Sequence, residues 1–211
     1  MEIRWHGHAC FEISNDITVV TDPHDGRSIG IRQPNVIADL VLISHDHFDH
    51  NCSRIVRGNP KVIESDFKGT VKGARITSIE TYHDKSKGEK RGMNRVFFLD
   101  MGGTKFCHLG DLGHIPAEEK VSKMRSMDVL FVPVGDVFTI GAKDAAEIAK
   151  SARPRICVPM HYRVGGLSLS IRPVDDFLGY FPEEQIIRVG NQVSFEQEDL
   201  GGKMNIWVFS L

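Results

Sequence analysis

Short apolar stretches, separated by polar or glycine-containing breaks, run through the first half of the chain. Their alternation and β-branched content predict strands at residues 3–5, 9–13, 17–21, 40–43, 61–64, 75–82, 96–101 and 105–109. The first three would form an antiparallel meander, and the last two would form a hairpin across a Gly-Gly turn. A short helix is predicted at 53–57.

The second half of the chain alternates helices with strands. Helices are predicted at residues 116–124, 142–152 and 174–180, and strands at 129–134, 156–159, 186–189, 192–196 and 204–209. This order is typical of a layered α/β protein with helices packed outside its sheets. We expect two sheets, one from each side of residue 110, with a functional site at the edge between them.

A dense group of polar side chains follows the fourth predicted strand, because the segment 45–50 contains three histidines and two aspartates. In an extended segment His45 and His47 project to the same side, and the next turn can direct Asp49 and His50 toward a nearby point. A lone histidine is usually a core or surface residue, but this many imidazoles and carboxylates need a cation to organise them. Each pair could therefore hold a metal ion.

Three more polar residues stand just after predicted apolar strands: His83, Asp111 and His161. Loops at strand ends are where functional side chains concentrate. We expect these strand ends to converge with the segment 45–50 on one edge and to form a metal site.

This pattern resembles the ligand set of the metallo-β-lactamase superfamily. Further motifs resemble the branch of metal-dependent hydrolases that includes the L-ascorbate-6-phosphate lactonase-like proteins. These motifs are Gly7-His8-Ala9, Thr21-Asp22-Pro23, His108-x-Gly110-Asp111, the segment 134–145 and Pro159-Met160-His161-Tyr162.

The resemblance implies a four-layer αββα sandwich, with residues 1–211 as a single domain and two metal ions. The implied ligands are His45, His47 and His83 for the first ion, Asp49, His50 and His161 for the second, and Asp111 as the bridge between them. Imidazole and carboxylate ligands suit Zn²⁺ or Mn²⁺, with iron as a further candidate. A hydroxide bridging the two ions would then be the nucleophile of a hydrolase.

Further roles are predicted for Asp49, for the remaining histidines and for one loop. Asp49 could accept the proton of the attacking water, and His114 could donate a proton to the leaving group. His8 is expected near the metals, in a direct or a supporting role, and His108 in a supporting or core position. The backbone N–H groups of residues 139–141 could face an anion, although an ordinary helix-entry loop fits them equally well.

The composition of the chain limits the kinds of partner that it is expected to bind. The net charge of −2 and the pI near 6.5 predict no nucleic-acid partner, and no apolar stretch approaches the length of a membrane span. We expect a cytoplasmic protein with reduced core cysteines, because no secretory signal and no Cys-x-x-Cys motif occur. The basic residues that follow His83, together with one after His161, indicate a small anionic substrate, although a run of charges is more often only solvated surface. These residues are Lys85, Lys87, Lys90, Arg91 and Arg163.

The leading functional prediction is a hydrolase acting on a small ester, lactone or phosphate-containing metabolite. A nuclease or phosphodiesterase of the same superfamily would need a more basic surface. A mononuclear iron oxygenase and a non-catalytic metal-binding module are two further candidate functions. Asp84 departs from the small hydroxyl residues that follow the corresponding histidine in the resembling proteins, so the choice of substrate stays open.

Overall fold

The computed structural model describes residues 1–211. Fourteen strands run in chain order as β1 Glu2–Trp5, β2 Phe11–Ser14, β3 Thr18–Thr21, β4 Ile37–Leu42, β5 Arg57–Ile63, β6 Lys68–Val71, β7 Ala74–Tyr82, β8 Met93–Met101, β9 Thr104–His108, β10 Val129–Pro133, β11 Ile156–Met160, β12 Ile186–Gly190, β13 Gln192–Ser194 and β14 Asn205–Phe209. The three α-helices are α1 Glu118–Met124, α2 Ala142–Ala152 and α3 Asp175–Leu178.

The strands form two sheets. The six-stranded sheet has the order β13-β1-β2-β3-β4-β5, in which β1 to β3 are the predicted antiparallel meander and β4 and β5 run parallel to β3. The eight-stranded sheet has the order β12-β14-β11-β10-β9-β8-β7-β6. It is antiparallel from β6 to β9 and parallel from β9 through β10, β11 and β14 to β12.

The predicted division of the two sheets at residue 110 is wrong. The hairpin of β8 and β9 does not belong to the first sheet, because β9 continues by parallel pairing with β10 and so joins the sheet of the second half. Strand β13 in turn pairs with β1 at the edge of the six-stranded sheet. Each sheet therefore combines strands from both halves of the chain.

Alternate side chains of the six-stranded sheet face opposite sides, as the period of a strand requires. Leu40 and Leu42 enter the main core, which contains side chains from both sheets and all three helices. Val41 and Val20 face a smaller cluster on the outer side, beside the short 3-10 turn Ser53–Ile55. A sandwich of two packed sheets is thereby confirmed.

The helices lie on the eight-stranded sheet, because α2 packs on β10 and the other two helices pack on α2. In α2, the side chains of Ala145, Ala146 and Ala149 are buried, and their small size lets this helix approach the sheet closely. None of the helices is long and apolar enough to cross a membrane.

Most predicted elements occur within a few residues of their expected positions, and α2 has the predicted bounds. The helix expected at 53–57 is only a 3-10 turn, because Arg57 already pairs with Ile37 as the first residue of β5. Strand β6 was not predicted because Val71 is its only apolar residue apart from glycine and none of its residues is buried, which leaves no alternating apolar signal.

Candidate metal centre

The carboxyl ends of four strands meet at one edge of the sandwich. The segment 45–50 follows β4 of the six-stranded sheet, whereas His83, Asp111 and His161 follow β7, β9 and β11 of the eight-stranded sheet. The structure brings all seven predicted ligands together there, as the strand-end pattern indicated. The site therefore depends on the packing of the two sheets against each other.

Asp111 occupies the centre of the group. Its Oδ2 atom lies 3.2 Å from Nε2 of His161, 3.3 Å from Nε2 of His50 and 3.4 Å from Nε2 of His83. Nε2 of His45 is slightly farther away, at 3.9 Å. One carboxylate oxygen thus faces imidazoles of both predicted ligand sets.

Three groups of candidate ligand atoms lie at the site, and the group of Asp22, His45 and His50 shares its histidines with the other two. The first of these two clusters comprises His45, His47 and His83, with all ligand atoms within 4.8 Å of one another. Within it, Nε2 of His83 is 3.2 Å from Nδ1 of His47.

The second cluster comprises His8, Asp49, His50 and His161, with the same mutual spacing of 4.8 Å or less. Oδ2 of Asp49 lies 3.6 Å from Nε2 of His50 and 3.0 Å from Nε2 of His8. His8 was predicted near the metals without a defined role, and the structure includes it in this cluster.

The chemistry of these atoms fits divalent metal ions. Nε2 of His45, His50 and His161 and Oδ1 of Asp111 are buried and have no hydrogen-bond partner. Buried polar atoms are normally paired, so a convergent set of unpaired nitrogen and carboxylate atoms needs another partner. Imidazole and carboxylate are common ligands of zinc, manganese and iron.

Asp22 supports two predicted ligands, His50 directly and His45 through Ser44, by contacts at their Nδ1 atoms. Its Oδ2 lies 3.0 Å from Nδ1 of His50 and accepts the hydroxyl of Ser44 at 2.7 Å. The Ser44 hydroxyl oxygen is in turn 2.9 Å from Nδ1 of His45. Contacts at Nδ1 orient the rings and direct Nε2 of His45 and His50 toward the centre of the site. In the sequence, Asp22 was noted only as part of the Thr21-Asp22-Pro23 motif, and no supporting role was predicted for it.

Asn94 positions the central carboxylate. Its Oδ1 accepts the backbone N–H of Asp111 at 2.8 Å, and its Nδ2 donates to the carbonyl of Leu109 and to the hydroxyl of Thr81, both at 2.9 Å. This residue is fully buried. No sequence motif indicated it, because a lone asparagine within a strand carries no distinctive pattern.

The charges of the site are strongly coupled. Burial alone would lower the pKa of His50, but the carboxylates of Asp111 and Asp49 raise it well above the ordinary value. Burial opposes ionisation of Asp111, yet the imidazoles of His161 and His50 keep the pKa of that carboxyl well below its usual range. The two buried carboxylates therefore require positive charge, which a metal ion would supply.

Two other predicted histidines lie outside the clusters. Nε2 of His108 is 3.1 Å from the carbonyl of Ala9, and its Nδ1 accepts the N–H of Gly110 at 3.2 Å, so it is a hydrogen-bonded core residue. His114 has Nδ1 at 3.1 Å from the carbonyl of Tyr82, and its ring packs on that tyrosine. His114 does not line the cavity above the metal ligands, so the geometry gives its predicted proton-donor role no support.

The residues 139–141 also differ from the predicted anion-binding segment. The N–H of Thr139 donates to the carbonyl of Asp136 and the N–H of Ile140 to that of Leu112, both at 2.8 Å. Two of the three donors are therefore used within the protein, which favours the alternative of an ordinary entry loop to α2.

Asp84 organises the basic loop that follows His83. Its carboxylate accepts four backbone N–H groups, from Ser86, Gly88, Lys90 and Arg91, at distances of 2.6, 3.0, 3.0 and 2.8 Å. Burial disfavours the charged carboxylate, but these four donors lower its pKa to about 2. Asp84 therefore stays ionised at neutral pH and holds the loop in a fixed conformation.

A cavity of about 280 Å³ opens above the metal ligands. Of the five basic residues expected there, only Lys90 and Arg91 line it. Lys85 pairs instead with Asp144 at 3.3 Å. The apolar residues that line the cavity are Phe48, Phe138 and Leu169, and the guanidinium carbon of Arg91 lies 5.3 Å from the centroid of the Phe138 ring.

Comparisons with known proteins agree with this fold. A model described as a β-lactamase superfamily domain matches residues 2–161. A protein from Thermotoga maritima, assigned to the Zn-dependent hydrolases of the metallo-β-lactamase superfamily, has a similar structure. Its TM-score is 0.82 and its sequence identity 39%, over 99% of this chain and 97% of that chain.

Two curated relatives cover most of the chain. The UPF0173 metal-dependent hydrolase of Thermoplasma acidophilum is 29% identical over 187 residues, which are 77% of this chain and 83% of the relative. Its counterpart in Nitratidesulfovibrio vulgaris is 30% identical over 193 residues, 76% of this chain and 79% of the relative.

The fold and the paired ligand clusters define a member of the metallo-β-lactamase superfamily. Within it, the chain belongs to the UPF0173 metal-dependent hydrolase family.

Proposed function

We propose that this protein is a dinuclear metal-dependent hydrolase acting on small anionic substrates. The observation that carries the proposal is the position of Asp111, whose Oδ2 lies 3.2 Å from Nε2 of His161 and 3.4 Å from Nε2 of His83. One carboxylate between two imidazole clusters is the arrangement that a bridging ligand requires.

The residues of each cluster divide between two metal positions. His45, His47 and His83 would hold the first ion, Asp49, His50 and His161 the second, and Asp111 both. When bound, divalent metal ions lower the pKa of coordinated water and polarise a carbonyl or phosphoryl oxygen. Zn²⁺ and Mn²⁺ are the ions that we propose, and iron suits the same donors.

The protein itself would position the reactants. Asp49 is slightly exposed at the floor of the cavity, so its carboxylate can orient a water and accept its proton. The side chain of His114 contacts Tyr82 rather than the cavity. A water molecule that enters the cavity from solvent would therefore protonate the leaving group.

The walls of the cavity suggest the class of substrate. Lys90 and Arg91 would attract a carboxylate or phosphate group, while Phe48 offers an apolar contact. Phe48 is 57% exposed although it lies between two metal ligands, His47 and Asp49. Ligand pockets are lined largely by apolar and aromatic side chains, so Phe48 is placed to contact a ligand. We propose a small ester, lactone or phosphoester that combines an anionic group with an apolar part.

The competing functions fit less well. A nuclease needs an extended basic surface, whereas this chain has a net charge of −2 and a cavity with two lining cations. A non-catalytic metal-binding module would not need the apolar and cationic walls of an open cavity beside the ligands. An iron oxygenase would use the same first cluster, and oxygen consumption during turnover by iron-loaded protein distinguishes it from a hydrolase.

Hydrolysis by protein loaded with Zn²⁺ or Mn²⁺ tests the proposal. The substrates are carboxylated and phosphorylated aryl esters, lactones and phosphodiesters, assayed before and after treatment with a chelator. We expect turnover of at least one anionic substrate class, its loss on chelation and its recovery on adding metal. Turnover that survives complete removal of metal would contradict the proposal.

A further inference from the structure

His8 joins two ligands of the second cluster that come from different sheets. Its Nε2 lies 3.0 Å from Oδ2 of Asp49, which follows β4 of the six-stranded sheet. Its backbone carbonyl accepts the N–H of His161 at 3.1 Å, and its ring lies against the His161 ring with centroids 4.1 Å apart. His161 follows β11 of the eight-stranded sheet.

The backbone of His8 is held in this place at a conformational cost. Its φ angle is 56°, and that of His161 is 55°, both in the left-handed region that residues other than glycine seldom adopt. The His8 carbonyl also accepts the indole N–H of Trp5 at 3.1 Å. Strained conformations persist where the surrounding structure fixes them, and they concentrate at functional sites.

The hydrogen-bond partners of the imidazole indicate which tautomer His8 adopts. Its Nε2 is hydrogen-bonded to the carboxylate of Asp49 at 3.0 Å, whereas Nε2 of the predicted ligands His45, His50 and His161 has no hydrogen-bond partner. An ionised carboxylate only accepts hydrogen bonds, so the proton of this bond lies on Nε2 of His8. A protonated ring nitrogen has no free lone pair for a metal ion, so this atom supports Asp49 instead of binding the metal.

We infer that His8 is a positioning residue that donates a hydrogen bond from Nε2 to Asp49 and holds Asp49 and His161 together as ligands of the second metal position. The inference rests on the dinuclear centre of the proposed function. The first cluster has no contact of this kind with His8, so its metal affinity should not depend on this residue.

Two variants of His8 that carry the same amide test this role. Asparagine accepts the left-handed conformation but is too short to reach Asp49, whereas glutamine extends its amide about as far as the imidazole Nε2. Zn²⁺ is titrated into metal-free protein in competition with a chromophoric chelator, and Co²⁺ spectra report the geometry of each bound ion. Circular dichroism establishes that each variant is folded.

We expect two equivalents of Zn²⁺ for the unaltered protein. His8→Asn should weaken the second equivalent by roughly 10- to 100-fold, the usual effect of losing a supporting hydrogen bond to a ligand, and leave the first unchanged. His8→Gln should restore the second equivalent to within a few-fold. In the Asp49→Asn background, His8→Asn should have no further effect.

Three results would overturn the inference. An unchanged second equivalent in His8→Asn would show that the hydrogen bond does not hold the ligand. Equal weakening in His8→Gln and His8→Asn would show that the donor is not what matters. A single equivalent in the unaltered protein would instead remove the proposed dinuclear centre itself, so the two failures are distinguishable.

Discussion

The Oδ2 atom of Asp84 accepts the backbone N–H of Arg91 at 2.8 Å, across seven residues of chain. Together with the bonds to Ser86, Gly88 and Lys90 it closes the loop that follows the ligand His83. The loop places Lys90 and Arg91 on the cavity above the metal ligands. The Asp84 carboxylate therefore fixes the backbone of Lys90 and Arg91 close to the predicted ligand His83.

Substituting Asp84 should release this loop without removing metal ligands. In Asp84→Asn, one acceptor oxygen is replaced by a donor, so we expect faster hydrogen exchange at the amides of residues 86, 88, 90 and 91. Metal content should stay unchanged. The kcat/KM for anionic substrates should fall as the cations lose their fixed positions. Unaltered exchange at all four amides would contradict this role.

The two cations of the cavity wall should determine substrate charge preference. The double variant Lys90→Gln, Arg91→Gln should keep its metals and lose roughly tenfold or more in kcat/KM for carboxylated or phosphorylated substrates. Neutral esters should be much less affected. The matched control is Lys85→Gln, Lys87→Gln, on side chains that do not line the cavity. Equal effects of both double variants would mean that only overall charge matters.

Gly113 packs directly against the backbone of His83 and Asp84. A Cβ at this position would collide with the backbone of His83 and Asp84, whereas one at Gly165 would have no atom within 4 Å. Gly113→Ala should therefore lower the free energy of unfolding by more than about 2 kcal/mol, and Gly165→Ala by less than about 0.5 kcal/mol. Urea denaturation measures both, and similar values would contradict the packing at Gly113.

His24 should make stability depend on pH. Burial lowers its pKa from 6.5 to about 4, even though its Nε2 lies 3.1 Å from the carbonyl of His6. The unfolded chain therefore binds a proton between these values that the folded protein does not. As far as His24 is concerned, the free energy of unfolding is highest above about pH 6.5. It decreases as the pH falls toward 4, by up to about 1.4 kcal/mol per pH unit.

The variant His24→Gln keeps an N–H donor and cannot titrate, so it isolates this contribution. Unfolding free energies of both proteins are measured between about pH 7.5 and about pH 5 with excess chelator, which removes competition between metal ions and protons. The difference between the proteins should change across this range in favour of the variant at low pH. Parallel curves would contradict the assignment.

The sequence predicted which side chains gather at the candidate metal centre better than it predicted the sheets. The ligands could be predicted because dense polar residues at the ends of apolar strands form a local pattern, as in the segment 45–50. Sheet membership depends on which strands pair over long distances, and nothing in the residues of β9 or β13 indicated their partners. The role of Asp84 was equally hidden, because it depends on the path of the loop around its carboxylate.

The metal stoichiometry of the unaltered protein and of Asp111→Asn tests the central claim most directly. Elemental analysis after saturation with Zn²⁺ and removal of excess metal should give two ions per chain, because the two clusters share the Asp111 carboxylate. Asp111→Asn should weaken both sites, whereas His47→Ala should weaken only the first. One firmly bound ion in the unaltered protein, or loss of only one site in Asp111→Asn, would contradict the dinuclear centre.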